Sequence, residues 1–213
     1  MNPHFFREAR RLAAENRATL EAKRREFKAN RKRMLGELAF CMLTPQSSML
    51  KCKAAVRLLE SKGLFGRGGE KRIARALKGK TRFHNNKARY IAQAREKFDA
   101  RGFLKIRGTK QKREWLVKNF KGLGYKEASH FLRNVGFLDV AIVDRHVANT
   151  LEKYGLAKPA KTISKKEYLR LERAVERAAA KVGLETGIFD LLLFVMDAAE
   201  GGGKKARLLK QLK

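Results

Sequence analysis

Two cysteines, Cys41 and Cys52, are all that a chain of 213 residues carries. That is too few for a disulfide framework, and they form no Cys-x-x-Cys zinc pair. Acidic side chains are scarce too: 21 Asp and Glu face 51 Lys and Arg, giving a formal net charge of +30. A field of that sign favours a polyanion, with nucleic acid the first partner class and an acidic membrane surface the second. Charge alone would suit a ribosomal or chromatin protein equally, so it indicates a partner and no reaction. No apolar run reaches the length of a membrane span, and nothing in residues 1–20 has the pattern of a signal peptide. These absences lead us to expect a soluble, cytoplasmic, nucleoid-associated monomer with no membrane partner. The length suffices for one large domain or two small helical lobes.

The most informative stretch runs from Lys118 to Val147, KNFKGLGYKEASHFLRNVGFLDVAIVDRHV. At its centre Gly122 and Gly124 lie between two apolar helical patterns, and glycine is the residue best able to turn the backbone. Upstream, Trp115, Leu116 and Phe120 share one face. Downstream, Ala128, Phe131, Leu132 and Val135 recur at helical spacing before Gly136. This reads as a helix, a hairpin and a helix. The N–H groups at the start of the second helix, with its dipole, suit a phosphate oxygen, and Lys118 and Lys121 add charge. Lys126 falls in the first turn of that helix, where the dipole and neighbouring cations oppose a proton, and a neutral amine is a nucleophile. Asp144 follows the apolar segment Val140-Ala141-Ile142-Val143 and is expected at the edge of a cleft.

Gly-x-Gly-x-Lys on a helix-hairpin-helix, followed by an aspartate ahead of a hydrophobic helix, resembles the helix-hairpin-helix base-excision DNA glycosylases. The wording GYKEASHFLRNVGFLDVAIVDRH is similar to the archaeal-type 8-oxoguanine DNA glycosylase/AP lyases. The resemblance covers most of Leu35 to Met196 and implies an all-α fold of two helical lobes with the active cleft between them. The expected partition is a central lobe, 45–130, and a second lobe from 1–44 plus 131–213 with a basic tail. By resemblance Lys126 is the nucleophile, Asp144 its carboxylate partner, and Lys121, Gly122 and Gly124 hold the DNA backbone. The implied partner is duplex DNA containing 8-oxoguanine. No cofactor is required and no metal site is expected, although a structural sodium or potassium ion at the hairpin fits the family. Two cysteines exclude the four-cysteine iron-sulfur cluster of some relatives.

The remaining chain adds candidates, each with a plainer structural alternative. Phe6, Ala13, Leu20, Phe27 and Met34 recur every seven residues, as in one long amphipathic helix. Leu35 to Leu43 is a buried helix ended by Thr44-Pro45, and both cysteines are buried fillers. Ser47 can cap the next helix. By resemblance Gln46 is the wedge that fills the hole left by an extruded base. Gly63 to Gly69 reads as a flexible loop, and Glu70 to Leu77 as a short helix. Phe83 would stack on the damaged base, while Asn85 or Asn86 caps the following helix, and Tyr90 and Ile91 are core. Ser164 and Glu167 form a capping box. On a last helix, from about Ile188 to Ala199, Asp190 would read the base edge and Phe194 would stack on the base, where relatives carry an aromatic that is usually tryptophan. Without the resemblance Phe194 is core. The tail, Gly201-Gly202-Gly203 and then Lys204 to Lys213, departs from the family and is expected to add phosphate contacts. The competing reading from another class is a non-catalytic DNA-binding protein, with Lys126 a phosphate contact and Asp144 an ordinary cap.

Overall fold

In the computed structural model, which describes residues 2–200, every regular element among those residues is helical. The tail from Gly201 to Lys213 lies outside them. The chain forms two compact units, one from residues 30–135 and one from the segments before and after.

The N-terminal segment forms α1 (Pro3–Glu15) and α2 (Arg17–Ala29) rather than the single long helix expected from the seven-residue spacing. Asn16 ends the first. Its backbone N–H and side-chain amide both donate to the Leu12 carbonyl, at 3.0 and 2.9 Å, and a side chain that competes for backbone acceptors interrupts a helix. At the other end, Asn2 accepts the Phe5 N–H at 3.2 Å ahead of Pro3, a pairing of cap and proline that favours helix initiation. Phe5 packs on Tyr154 and Phe189, and Phe27 on Leu138, Ile188 and Leu191.

A 3-10 turn, Asn30–Arg33, opens the central unit, which continues through α3 (Met34–Leu43), α4 (Met49–Ser61), α5 (Leu64–Arg67), α6 (Glu70–Leu77), α7 (His84–Lys97), α8 (Ala100–Lys105), α9 (Thr109–Asn119) and α10 (Tyr125–Asn134). α3 is buried along most of its length and packs on α4, α7 and α10. The boundary consequently differs from the partition at 44/45 and 130/131. It falls at 29/30 and 135/136, because α3 buries its apolar surface within the central unit. The segment from Gly63 to Gly69 contains α5 instead of an open loop, started by Gly63 in the left-handed region at φ 60° and tied down by Arg95, which donates to the Gly68 carbonyl. Phe98, Phe103, Trp115, Phe120 and Phe131 form an aromatic cluster with ring centroids 5.4–6.5 Å apart. Such edge and tilted contacts add to the burial of the rings themselves, and they fasten α8, α9 and α10 together behind the hairpin.

The remainder of the outer unit is α11 (Arg145–Lys153), α12 (Lys165–Val182) and α13 (Thr186–Glu200), the last starting slightly earlier than expected. α12 and α13 both pack on α11 and on each other. Ser164 caps α12 by accepting the Glu167 N–H at 3.3 Å, but the Glu167 carboxylate turns to the Ala160 N–H at 2.8 Å and to Arg170, so the capping box is one-sided.

Candidate functional site

The hairpin joins α9 to α10 through an exposed turn at Lys121 and Gly122, with Leu123 buried between the two glycines. Gly122 has φ 86°, and a Cβ there would meet the ring of Tyr90 at 2.6 Å. Both the backbone angle and the close approach therefore require glycine. Tyr90 is half-buried against this turn, whereas Ile91 is fully buried. Gly124 is the N-cap of α10, and its N–H donates to the Glu127 carboxylate at 3.3 Å. Lys126 occupies the first turn, its side chain 42% exposed, with Nζ 3.5 Å from the same carboxylate. An ion pair this open contributes little to stability, on the order of 0–1 kcal/mol, but it holds the amine beside the hairpin. One turn on, His130 packs edge-on against Phe40 at 5.5 Å. Burial, reinforced by Arg133, Lys126 and Lys53, holds its pKa well below the usual imidazole range.

Gln46 and Phe83 lie elsewhere in this unit, and both take left-handed backbone angles, φ 54° and 55°. For residues with a Cβ that conformation costs roughly 1–2 kcal/mol and persists where the surroundings over-determine it. Phe83 is 55% exposed, with the Arg82 guanidinium 5.3 Å from its ring centroid. It also takes the N-cap position of α7, so neither Asn85 nor Asn86 is the cap; Asn86 accepts from Arg89 at 3.2 Å instead. Ser47 is not a cap either. Ser48 holds the N-cap of α4 without a side-chain bond, while Ser47 Oγ accepts from Lys87 Nζ at 3.0 Å. Met49 and Leu50, directly after the Gln46 turn, are exposed apolar side chains.

In the outer unit, Val140 to Val143 is a buried segment without regular structure, and α12 meets several of its backbone polar groups. Tyr168 donates its hydroxyl to the Ala141 carbonyl at 2.8 Å and accepts the Val143 N–H at 3.2 Å, and Glu172 accepts the Ala141 N–H at 3.1 Å. This pinning delivers Asp144 to the N-cap of α11, where Oδ1 accepts the Val147 N–H at 3.0 Å. α11 pairs with α13, which carries Asp190 and Phe194. Asp190 is only 3% exposed. Phe194 is half-buried and not core, standing edge-on to His146 at 5.5 Å. Sequence reasoning missed three of these residues: Glu127, His146 and Lys87. For Lys87 a signal existed, since it lies one turn before Ile91 on the stripe that buries Ala88, Ile91 and Ala94.

The family model described as 8-oxoguanine DNA glycosylase matches residues 16–184. The 8-oxoguanine DNA glycosylase/AP lyase of Korarchaeum cryptofilum is 37% identical over 191 residues, covering 86% of this chain and 90% of its own. That of Fusobacterium nucleatum is 36% identical over 208 residues, covering 91% and 95%. The crystal structure of the Methanocaldococcus jannaschii 8-oxoguanine glycosylase/lyase in complex with a 15mer DNA containing 8-oxoguanine superimposes with a TM-score of 0.83 at 30% identity, covering 92% of this chain and 98% of that one. With the helix-hairpin-helix, a lysine behind it and an aspartate capping the helix after it, the chain belongs to the 8-oxoguanine DNA glycosylase family.

Proposed function

We propose that the protein excises 8-oxoguanine from duplex DNA and then cleaves the strand at the abasic site, acting as a monomer on chromosomal DNA. The observation that carries the lysine chemistry is the position of Lys126 in the first turn of the helix that the hairpin opens. The hairpin, with Lys121, Gly122 and the N–H groups around Gly124, holds a phosphate. Gln46 fills the space left when the damaged nucleotide leaves the stack, an extrusion that costs a few kcal/mol. Phe83 and Phe194 offer ring faces to the purine, and Asp190 accepts from its N1 and exocyclic amine.

The lone pair of Lys126 Nζ attacks C1′ as the bond from C1′ to the base breaks, and the base departs with the bonding electrons and takes up a proton from water. Asp144 stabilises the positive charge that develops on the sugar and takes up the proton that the amine loses. Opening of the sugar ring, with O4′ taking the proton that Asp144 holds, leaves an iminium between Nζ and C1′, which acidifies the C2′ proton. Loss of that proton expels the 3′ phosphate by β-elimination. This sequence calls for no metal or redox cofactor. A structural sodium or potassium ion at the hairpin is part of the reading, since backbone carbonyl oxygens suit an alkali cation better than a transition metal. Among the described residues, no cluster of His, Cys, Asp and Glu could hold a metal ion.

The test is borohydride trapping on a duplex with one 8-oxoguanine opposite cytosine, beside an abasic duplex and an undamaged one, with Lys126→Gln as control. A covalent complex on the damaged duplex that vanishes in the variant is expected. Trapping on the abasic duplex alone would remove the lesion assignment and keep the lyase. Binding without trapping on either would leave a non-catalytic binder.

A further inference from the structure

Gln46 and Phe83 are far apart in sequence, and they are the two non-glycine residues with positive φ among those described. One buried ammonium touches both turns. Lys87, 5% exposed, donates from Nζ to the carbonyls of Leu43 at 2.7 Å and Pro45 at 2.8 Å, which frame the turn carrying Gln46. Ser47 Oγ at 3.0 Å and Thr81 Oγ1 at 2.8 Å, the latter two residues before Phe83, also lie within hydrogen-bond distance of Nζ, so its three N–H groups are shared among four acceptors. The two hydroxyl oxygens lie 2.8 Å apart, and Ser47 Oγ accepts the Arg82 N–H at 3.1 Å. The Leu43 carbonyl lies at the C-terminal, negative end of α3, where a cation is favoured. A lysine buried against neutral acceptors forfeits solvation, and burial does lower the pKa of Lys87. Stability alone could be supplied more cheaply by an apolar side chain.

We propose that Lys87 is a positioning residue for base excision: its buried ammonium fixes the Gln46 turn and the Phe83 turn as one rigid frame, so that the wedge and the stacking ring engage the duplex together. The inference rests on the roles proposed above for Gln46 and Phe83. Cleavage at a preformed abasic site needs no base clasped by Phe83, so the two reactions of this enzyme separate positioning from folding.

The experiment compares single-turnover excision of 8-oxoguanine opposite cytosine with borohydride trapping on an abasic duplex. It uses the wild type, Gln46→Ala, Phe83→Ala, Lys87→Met, Lys87→Arg and the Lys87→Met/Phe83→Ala pair, at a temperature where denaturation curves show each to be folded. Lys87→Met should slow excision at least about tenfold and abasic trapping less than about threefold, with Lys87→Arg recovering part of the loss. The double variant should be no more than about threefold slower than its slower parent, because both changes disable one device. Equal loss of the two reactions in Lys87→Met, or excision within about threefold of wild type, overturns the inference. Normal excision by both Gln46→Ala and Phe83→Ala overturns the reading beneath it, and the inference as well. Should Lys87→Met not fold, Ser47→Ala and Thr81→Val, which each remove one acceptor of the ammonium, carry the same comparison.

Discussion

Gly122 and Tyr90 fit so closely that a Cβ on the glycine would stand 2.6 Å from Cδ2 of the tyrosine, at a backbone angle of φ 86° that disfavours any side chain. Gly122→Ala should lower unfolding stability by about 1–3 kcal/mol and weaken duplex binding at least about fivefold, because the turn that presents the first-turn N–H groups must shift. Thermal melts and fluorescence anisotropy check this. Adding Tyr90→Ala relieves the collision but not the angle, so recovery should be partial.

Asp144 both caps α11 and carries the proposed catalytic carboxylate, and two substitutions separate these roles. Asparagine keeps an oxygen for the Val147 N–H. Asp144→Asn should therefore stay within a few tenths of a kcal/mol of wild type in stability, whereas Asp144→Ala should lose about 1 kcal/mol. Both should slow excision by on the order of 100-fold. Stability loss in the asparagine variant, with excision intact, would leave Asp144 as a cap only.

Phe194 is half-buried and stands edge-on to His146, and in the proposed function it stacks on the damaged base. Stacking contributes roughly 1–3 kcal/mol per base, so Phe194→Ala should slow 8-oxoguanine excision by about 10-fold or more and abasic trapping far less. Single-turnover rates on the two duplexes decide it. Phe194→Trp, with a larger stacking area, should excise at least as fast as the wild type.

The pH dependence of stability should report on His130. Its folded pKa lies well below the ordinary 6.5, chiefly through burial. As pH falls below that ordinary value, the unfolded chain takes up a proton that the folded chain refuses, so stability declines toward the folded pKa and is unaffected above 6.5. Urea unfolding at about pH 7.5 and about pH 5.5 should show the decline, and His130→Gln should flatten it. An unchanged slope in that variant would assign the acid sensitivity elsewhere.

What the chain by itself determined is local. The glycines and apolar spacing between Trp115 and Val135 dictate the helix-hairpin-helix, because helical periodicity and the left-handed turn at Gly122 are both properties of adjacent residues. The same holds for α6 and for the buried α3, and the charge of +30 names the partner class. Contacts over long sequence separations were decided only in the folded protein. The heptad pattern of residues 6–34 gives no sign that Asn16 will divide it, since that depends on which acceptor its side chain finds. Ser47 looks like a cap until Lys87, forty residues on, claims its hydroxyl. Likewise, Val140 to Val143 becomes the lever that sets Asp144 only when Tyr168 and Glu172 of α12 meet its backbone groups. A buried polar group must be satisfied wherever its partner lies, and that partner is a matter of tertiary structure.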